Sequence, residues 1–449
     1  LIQDLQGFSN LGGLESGDVI ITNHPAFGGS HLPDITVVTP VFYDNKRIGF
    51  TASRAHHAEI GGKSPGSMPA DARNLAEEGV VIPPMLIVKK GRSLLEQFRK
   101  LLEQAPYPSR TPDENLADIE AAIAANNFGA SELQKLADVH SPEIVQDYMI
   151  KLRRYAGSRL ENTLQNIPDG MYQASEKMDD GSLLKVSCDV IDNEVTIDFT
   201  GSAEVHPGNL NANPSIVNSV VMYVLRLLIH EPLPLNDGLL DPVKLIIPEG
   251  ILNPRFPDDP VECPAVVGGN IETSQRLTDT LLKAFEKIAC SQGTMNNVLF
   301  GNKKFGYYET VGGGSGAGEG FHGTDAVHHH MTNTRATDPE ILEHRYPVRL
   351  DKLAIRKNSG GAGKWKGGDG IIKKFTFLEP VQLTVLTQHR NNPPYGLNGG
   401  RPGKTGKQWV ERVNGKIMKL DWQDSAELNP GDRFILQTPG GGGFGNKQP

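Results

Sequence analysis

Ile35-Thr-Val-Val-Thr-Pro-Val-Phe42 and Arg47-Ile-Gly-Phe-Thr-Ala-Ser-Arg54 flank a short connection containing Asp44-Asn45. Both runs are rich in β-branched and aromatic residues, and Asp-Asn is turn chemistry, so the segment reads as an antiparallel hairpin. If that turn closes the hairpin, residue numbers summing to about 89 lie opposite one another, which brings His31–Asp34 against Ala55–Ala58. A shorter run, Val19 to Thr22, reads as a strand ahead of it.

Beyond the hairpin the pattern changes. From about Asp113 to Asn166, apolar residues recur at helical spacing, as in Leu116, Ile119, Ala122, Ile123 and then Ile144, Tyr148, Leu152. Strands return at Leu183–Val190 and Glu194–Phe199 around Ile191-Asp-Asn193, and helices are expected near Pro214–His230 and Glu272–Ala289. The last third alternates short strands with glycine loops at 312–318, 360–370 and 440–445. Strands and helices do not alternate regularly, which disfavours a doubly wound sheet or a TIM barrel. The expectation is a mixed α+β, β-rich fold with a helical insert and a C-terminal β part rich in glycine loops. Its expected divisions are a β-rich metal-site region (1–112), a helical subdomain (113–170), a central α/β region (171–345) and a C-terminal β-rich region (346–449).

Composition narrows the function. The chain has 449 residues and a formal net charge of -8, with no basic tract, which argues against a nucleic-acid partner. Cys188, Cys263 and Cys290 are far apart and form no CxxC pair, so neither a disulfide framework nor a thiolate zinc site is indicated, and a reducing cytosol fits. The apolar stretch from Ile216 to Ile229 is broken by Asn218, Ser219 and Arg226 and reads as a buried helix rather than a membrane span. The chain opens at Leu1, without Met or signal-peptide features, and further sequence upstream is expected.

The chemistry concentrates in two places. His31-Leu-Pro-Asp34 and His56-His57-Ala-Glu59, followed by Gly61-Gly62, pair imidazole with carboxylate three residues apart, twice over. Such a ligand set suits zinc, manganese or iron. Adjacent strand residues point to opposite faces, so His56 and His57 do not both bind one ion, and spacing does not choose between them. The second constellation is Tyr307-Tyr-Glu-Thr-Val-Gly-Gly-Gly-Ser-Gly-Ala-Gly318, then His322-Gly-Thr-Asp325 and His328-His-His-Met-Thr-Asn-Thr334. Its glycines allow backbone amides to approach a ligand. The histidine run reads equally as a partly exposed turn or as a substrate or metal contact. Asn270, Asp325, His328 and Asn333 are the candidate substrate-binding residues. Gly399-Gly-Arg-Pro-Gly-Lys-Thr405 imitates a phosphate loop but has Asn398 where glycine is required. The Cys263 thiol reads as a small buried apolar group rather than a nucleophile.

Asn23-His-Pro-Ala-Phe-Gly-Gly-Ser-His-Leu-Pro-Asp34, Ala52-Ser-Arg-Ala-His-His-Ala-Glu-Ile-Gly-Gly62 and Pro65-Gly-Ser-Met-Pro69 resemble the metal-site segments of the hydantoinase B/5-oxoprolinase family. That group includes acetone and acetophenone carboxylase subunits. Gly268-Gly-Asn-Ile-Glu-Thr-Ser274, Asp338-Pro-Glu-Ile-Leu-Glu343 and Thr438-Pro-Gly-Gly-Gly-Gly-Phe444 extend the likeness over nearly the whole chain. The resemblance implies His31, Asp34 and His56 as metal ligands, with His57 and Glu59 as supporting groups able to accept a proton. Two departures stand out: Glu59 where the family usually has Asp, and His24 where many members have Asp. The Asn-His-Pro form is similar to the 5-oxoprolinase branch. The resemblance further implies a hydrolytic half that completes the opening of a lactam or cyclic imide. An ATP-binding, hydantoinase A-like subunit or domain activates that substrate, and ATP and Mg belong to this partner. Hydantoin or caprolactam opening, ketone carboxylation and a non-catalytic scaffold are the alternatives. A cytoplasmic homo- or hetero-oligomer is expected.

Overall fold

In the computed structural model, which describes residues 13–332 and 334–446, β1 (Val19–Thr22) precedes the hairpin arms β2 (Asp34–Tyr43) and β3 (Lys46–His56). Asp44 and Asn45 take φ of 44° and 63°, the left-handed pair that a two-residue hairpin loop demands. Next to the turn, Phe42 faces Arg47. Beyond a bulge between Val41 and Phe42, the register shifts by one, so that Asp34 faces His56. β4 (Met85–Lys89) and β5 (Arg92–Ser93) complete a sheet in the order β3-β2-β1-β4-β5.

Four helices accompany this sheet: α1 (Leu75–Glu78), α2 (Leu95–Gln104), α3 (Pro112–His140) and α4 (Pro142–Leu164). The expected helical stretch is thus two helices. Ser141 adopts φ 69° and Pro142 follows it, which breaks the first helix and starts the second. α3 lies across β2 and β3, where Leu116 and Ile119 share a core with Ile35 and Val37. The Asn126 amide donates to the Val37 carbonyl at 3.0 Å. Helix and hairpin are therefore one packing unit at the point where the ligand residues emerge.

A second sheet, β6-β7-β8-β9, is formed by Gly170–Lys177, Leu183–Ile191, Glu194–Asp198 and Val243–Ile246. β6 escapes sequence reading because its stretch, Gly-Met-Tyr-Gln-Ala-Ser-Glu-Lys, is half polar. α5 (Pro214–Leu228) is the buried apolar helix expected there, and it packs on α6 (Ser274–Ala284), which covers β6 and β7. α6 begins earlier than expected, through a π-helical turn at Gly269–Thr273, and ends earlier, before Glu286 with φ 52°. Glycine is required at 269, because a Cβ there would fall 1.8 Å from the Asn211 carbonyl oxygen.

The C-terminal part is two sheets packed face to face. One has the order β11-β10-β14-β17, from Gly306–Glu309, Asn297–Gly301, Val381–Leu386 and Gln423–Leu428. The other is β12-β13-β18-β15-β16, from Val348–Arg356, Gly370–Phe377, Arg433–Gln437, Lys407–Glu411 and Ile417–Lys419. Phe300, Leu383, Phe375, Phe377 and Phe434 fill the space between them, and α7 (Pro339–Arg345) adds Leu342. The architecture is α+β. Among the described residues, no helix is long and apolar enough to cross a membrane.

Candidate metal centre

The hairpin mouth is built before any ligand is placed. The His57 backbone N–H donates to the Pro33 carbonyl at 2.8 Å, tying the two arms together just past the last strand pair. The loop before β2 is pinned from outside: Asn213 donates to the Gly29 carbonyl at 2.8 Å and Asn23 to the Leu32 carbonyl at 2.9 Å. Both amides are buried, so these bonds are costly to lose. His31 and Asp34 are thus held against the end of β3.

Asp34 bridges the two imidazoles. Its Oδ2 lies 3.2 Å from His31 Nδ1 and its Oδ1 3.3 Å from His56 Nδ1, while the Ser30 hydroxyl donates to Oδ2. The imidazoles stack with centroids 5.2 Å apart. His31 is buried, and burial holds its pKa below the ordinary histidine value. Burial alone would raise Asp34, but the His31, His56 and Ser30 donors outweigh it and hold the carboxyl well below the usual range.

Donor atoms of His31, Asp34 and His56 all lie within 4.8 Å of one another. The set suits a divalent ion: the N···O edges of 3.2 and 3.3 Å, made by Nδ1 of each imidazole, are what ~2.1 Å bonds to one ion produce at angles near ~100°.

Of the two adjacent histidines, the cluster contains His56. His57 lies past the end of β3 and is buried against α3, with Nδ1 3.2 Å from the Asn115 amide and 3.8 Å from Asp118. Glu59 is also outside the cluster. Its carboxylate accepts from the Gly61 and Arg110 backbone N–H groups, the Ser109 hydroxyl and the Arg110 guanidinium, at 2.6 to 2.9 Å. It fastens the loop after the hairpin to the start of α3.

Asn270 reaches the centre from the π-helical turn, its amide nitrogen 3.0 Å from His31 Nδ1. Asp325 and His328 are placed elsewhere. Asp325 is exposed and accepts the Asp369 N–H at 2.6 Å. The His328–His330 run is a half-buried turn against α5 and α6, with His330 Nδ1 3.1 Å from the Tyr223 hydroxyl. Burial there lowers the His329 pKa to about 3. Asn333 lies outside the described residues.

Two neighbours escaped sequence reading although their segments were recognised. Tyr308 on β11 stacks on His56 with centroids 5.8 Å apart, and its hydroxyl donates to Asn297 at 2.8 Å. The Asn297 amide donates in turn to Glu272 at 2.8 Å. Glu272 is buried with Oε2 unpartnered, and desolvation raises its pKa to about 7. The alternation of Tyr307 and Tyr308 along β11, one ring for the core and one for the centre, was the available signal.

The sequence pattern of the Hydantoinase B/oxoprolinase family matches residues 3–447. The chain is 42% identical over 460 residues to 5-oxoprolinase 1 of Arabidopsis thaliana, covering 96% of this chain and 36% of the relative. It is 29% identical over 461 residues to a putative D-/L-hydantoinase subunit of Pseudomonas sp. NS671, covering 96% and 76%. The crystal structure of an ATP-dependent caprolactamase from Pseudomonas jessenii shares the fold, with a TM-score of 0.84 at 23% identity over 99% of this chain and 80% of that one. The chain spans about a third of the length of the 5-oxoprolinases it matches, 36% and 34% for the plant and Dictyostelium discoideum proteins.

Proposed function

From the premise that this chain belongs to the Hydantoinase B/oxoprolinase family, we propose that it is the metal-binding hydrolytic half of an ATP-dependent cyclic-amide hydrolase, with 5-oxoproline as its substrate. The observation that carries the reading is the convergence of His31, Asp34 and His56 on one point. The substrate assignment rests on the 42% identity to a 5-oxoprolinase over 96% of the chain.

A five-membered lactam is a resonance-stabilised amide and a poor electrophile. Phosphorylation of its carbonyl oxygen by a hydantoinase A-like, ATP-binding half supplies a good leaving group, after which water completes the opening. A zinc-, manganese- or iron-type ion held by His31, Asp34 and His56 supplies Lewis acidity, lowering the pKa of water and polarising oxygen. The protein's part is orientation. Asp34 fixes both imidazoles, Asn270 braces His31, and Tyr308 sets the plane of His56. His31 is 2% exposed and His56 37%, so the activated lactam approaches from the His56 side. With the Glu59 carboxylate fully engaged and His57 turned to α3, proton acceptance falls to water or to the Tyr308–Asn297–Glu272 side.

The test is a complex reconstituted with the ATP-binding half. His31→Ala and Asp34→Ala are expected to lose the bound metal and to lower 5-oxoproline opening by about 10³-fold, the several kcal/mol that Lewis-acid catalysis contributes. Phosphoryl transfer by the partner half should persist. Intact metal content and turnover in both variants would overturn the reading. The likeness to a putative hydantoinase subunit favours one second reading, hydantoin opening. Parallel assays with hydantoins and 5-oxoproline separate the two.

A further inference from the structure

We propose that Asp279, Cys290 and His389, which meet where α6, the segment after it and the segment after β14 converge, form a second, buried divalent-metal site of the zinc type. The proposal is independent of the hydrolytic role assigned to His31, Asp34 and His56.

One donor atom from each of the three residues lies within 4.8 Å of the others, and all three side chains are fully buried. The count of protons between them is short. His389 Nδ1 lies 2.6 Å from the Asn392 carbonyl, which accepts only, so Nδ1 carries the proton and Nε2 presents a lone pair. Asp279 Oδ2 is buried with no hydrogen-bond partner. Its other oxygen accepts from the Ser291 N–H at 3.1 Å and stands 3.4 Å from His330 Nε2. The Cys290 thiol thus offers one proton to two buried acceptors, and one of them stays unsatisfied at a cost of about 1–3 kcal/mol. A divalent ion satisfies sulfur, nitrogen and oxygen together.

The geometry agrees. Cys290 Sγ and His389 Nε2 are 3.6 Å apart. Bonds of ~2.3 Å to sulfur and ~2.1 Å to nitrogen at a tetrahedral angle give an S···N edge of about 3.6 Å. The Nδ1 contact to a backbone carbonyl is also the orientation that metal-ligating histidines use. Gly293 keeps the space open: at φ +58° it has no side chain, and a Cβ there would fall 2.3 Å from His389 Nε2 and 3.0 Å from Asp279 Oδ2. Sulfur in the set selects zinc or iron over magnesium or calcium. Burial pushes the Cys290 thiol well above its ordinary value, which argues against a free nucleophile.

Binding replaces the Cys290 S–H bond with a sulfur–metal bond and releases one proton to solvent. His389 and the Asp279 carboxylate bind without proton loss. The site would staple α6 to the glycine-rich C-terminal loops, since the Cys290 N–H donates to the Tyr395 carbonyl at 3.0 Å and its carbonyl accepts from Gly442 N–H at 2.7 Å.

Cobalt(II) tests this, because a sulfur-to-cobalt charge-transfer band in the near ultraviolet requires a thiolate ligand, and the His31, Asp34 and His56 set has none. The full chain, stripped of metal and titrated with Co²⁺, is expected to develop the band with release of one proton per band-forming ion. The band should survive Asp34→Ala, which empties the other centre, and disappear in Cys290→Ser. Should Cys290→Ser fail to fold, the Cys188→Ser, Cys263→Ser double variant decides, since the band must persist when Cys290 is the one cysteine left. No band at saturating Co²⁺, or a band lost in the double variant, overturns the proposal.

Discussion

Asp34 and His56 face each other as register partners across the β2–β3 hairpin, with Asp34 Oδ1 3.3 Å from His56 Nδ1. The next residue, His57, turns away to α3. Substituting the two histidines should therefore have opposite consequences. His56→Ala is expected to abolish binding of the divalent ion while leaving the fold intact, because its ring is 37% exposed. His57→Ala should keep the metal and lose about 1–3 kcal/mol of stability, since it leaves the buried Asn115 amide short of a partner. Metal analysis alongside a denaturant melt reads both, and metal lost only in the His57 variant would refute the assignment.

Ser30 touches Asp34 and not the ion it would help to hold. Its hydroxyl donates to Oδ2, fixing the carboxylate between the two rings. Such outer contacts typically tune metal affinity by about 10- to 100-fold. Ser30→Ala is expected to weaken metal binding by that factor with an unchanged ligand count, as competition against a chelator would reveal. An unaltered affinity would mean that the His31 and His56 imidazoles orient Asp34 without it.

How far the sequence carried the reading depended on range. The hairpin was legible because turn and pattern are local: Asp44-Asn45 fixed its closure, and only the bulge at Val41 and Phe42 moved the register by one. That shift also explains why spacing could not choose between His56 and His57. Asn270 was already a candidate for substrate binding, but neither its contact with His31 nor that of Tyr308 with His56 was legible. Asn270 and Tyr308 lie 239 and 252 positions from the residues they touch, and no periodicity encodes such a meeting. Glu59 was misleading for the opposite reason. Its spacing from His56 mimics a ligand pair, but its oxygens are claimed by Ser109 and Arg110, about fifty residues away.

Those four hydrogen bonds make Glu59 a structural carboxylate, which gives a testable contrast with Asp34. Glu59→Gln removes the charge facing Arg110 and converts one acceptor oxygen into a donor opposite groups that also donate. The expected loss is about 2–3 kcal/mol, the range for hydrogen bonds to charged groups, with metal stoichiometry unchanged. If the variant instead melted like the wild type and lost turnover, Glu59 would have to reach the reacting atoms after all.

Glu78 fastens the segment that leads into the π-helical turn, and it does so from a buried position. Its carboxyl accepts from the Val266 N–H at 3.0 Å and the Val267 N–H at 2.9 Å, two residues before Gly269–Thr273 begins. Desolvation raises its pKa to about 8, against the lowering effect of those two N–H donors. A carboxyl whose folded pKa lies above its unfolded value stabilises the fold fully below the unfolded pKa of 4.5, and that contribution is lost as pH rises towards 8. The loss between pH 4.5 and 8 amounts to roughly 3 to 5 kcal/mol. Glu78→Gln keeps Oε1, which alone can accept both N–H groups, but carries no titrating proton. The wild type should therefore be more stable relative to this variant at pH 5 than at pH 8, and the difference isolates Glu78 because every other titrating group is shared. Urea melts at the two pH values measure it. An identical pH slope in both proteins would show that Glu78 does not change protonation in that window, and that the turn bearing Asn270 is anchored independently of pH.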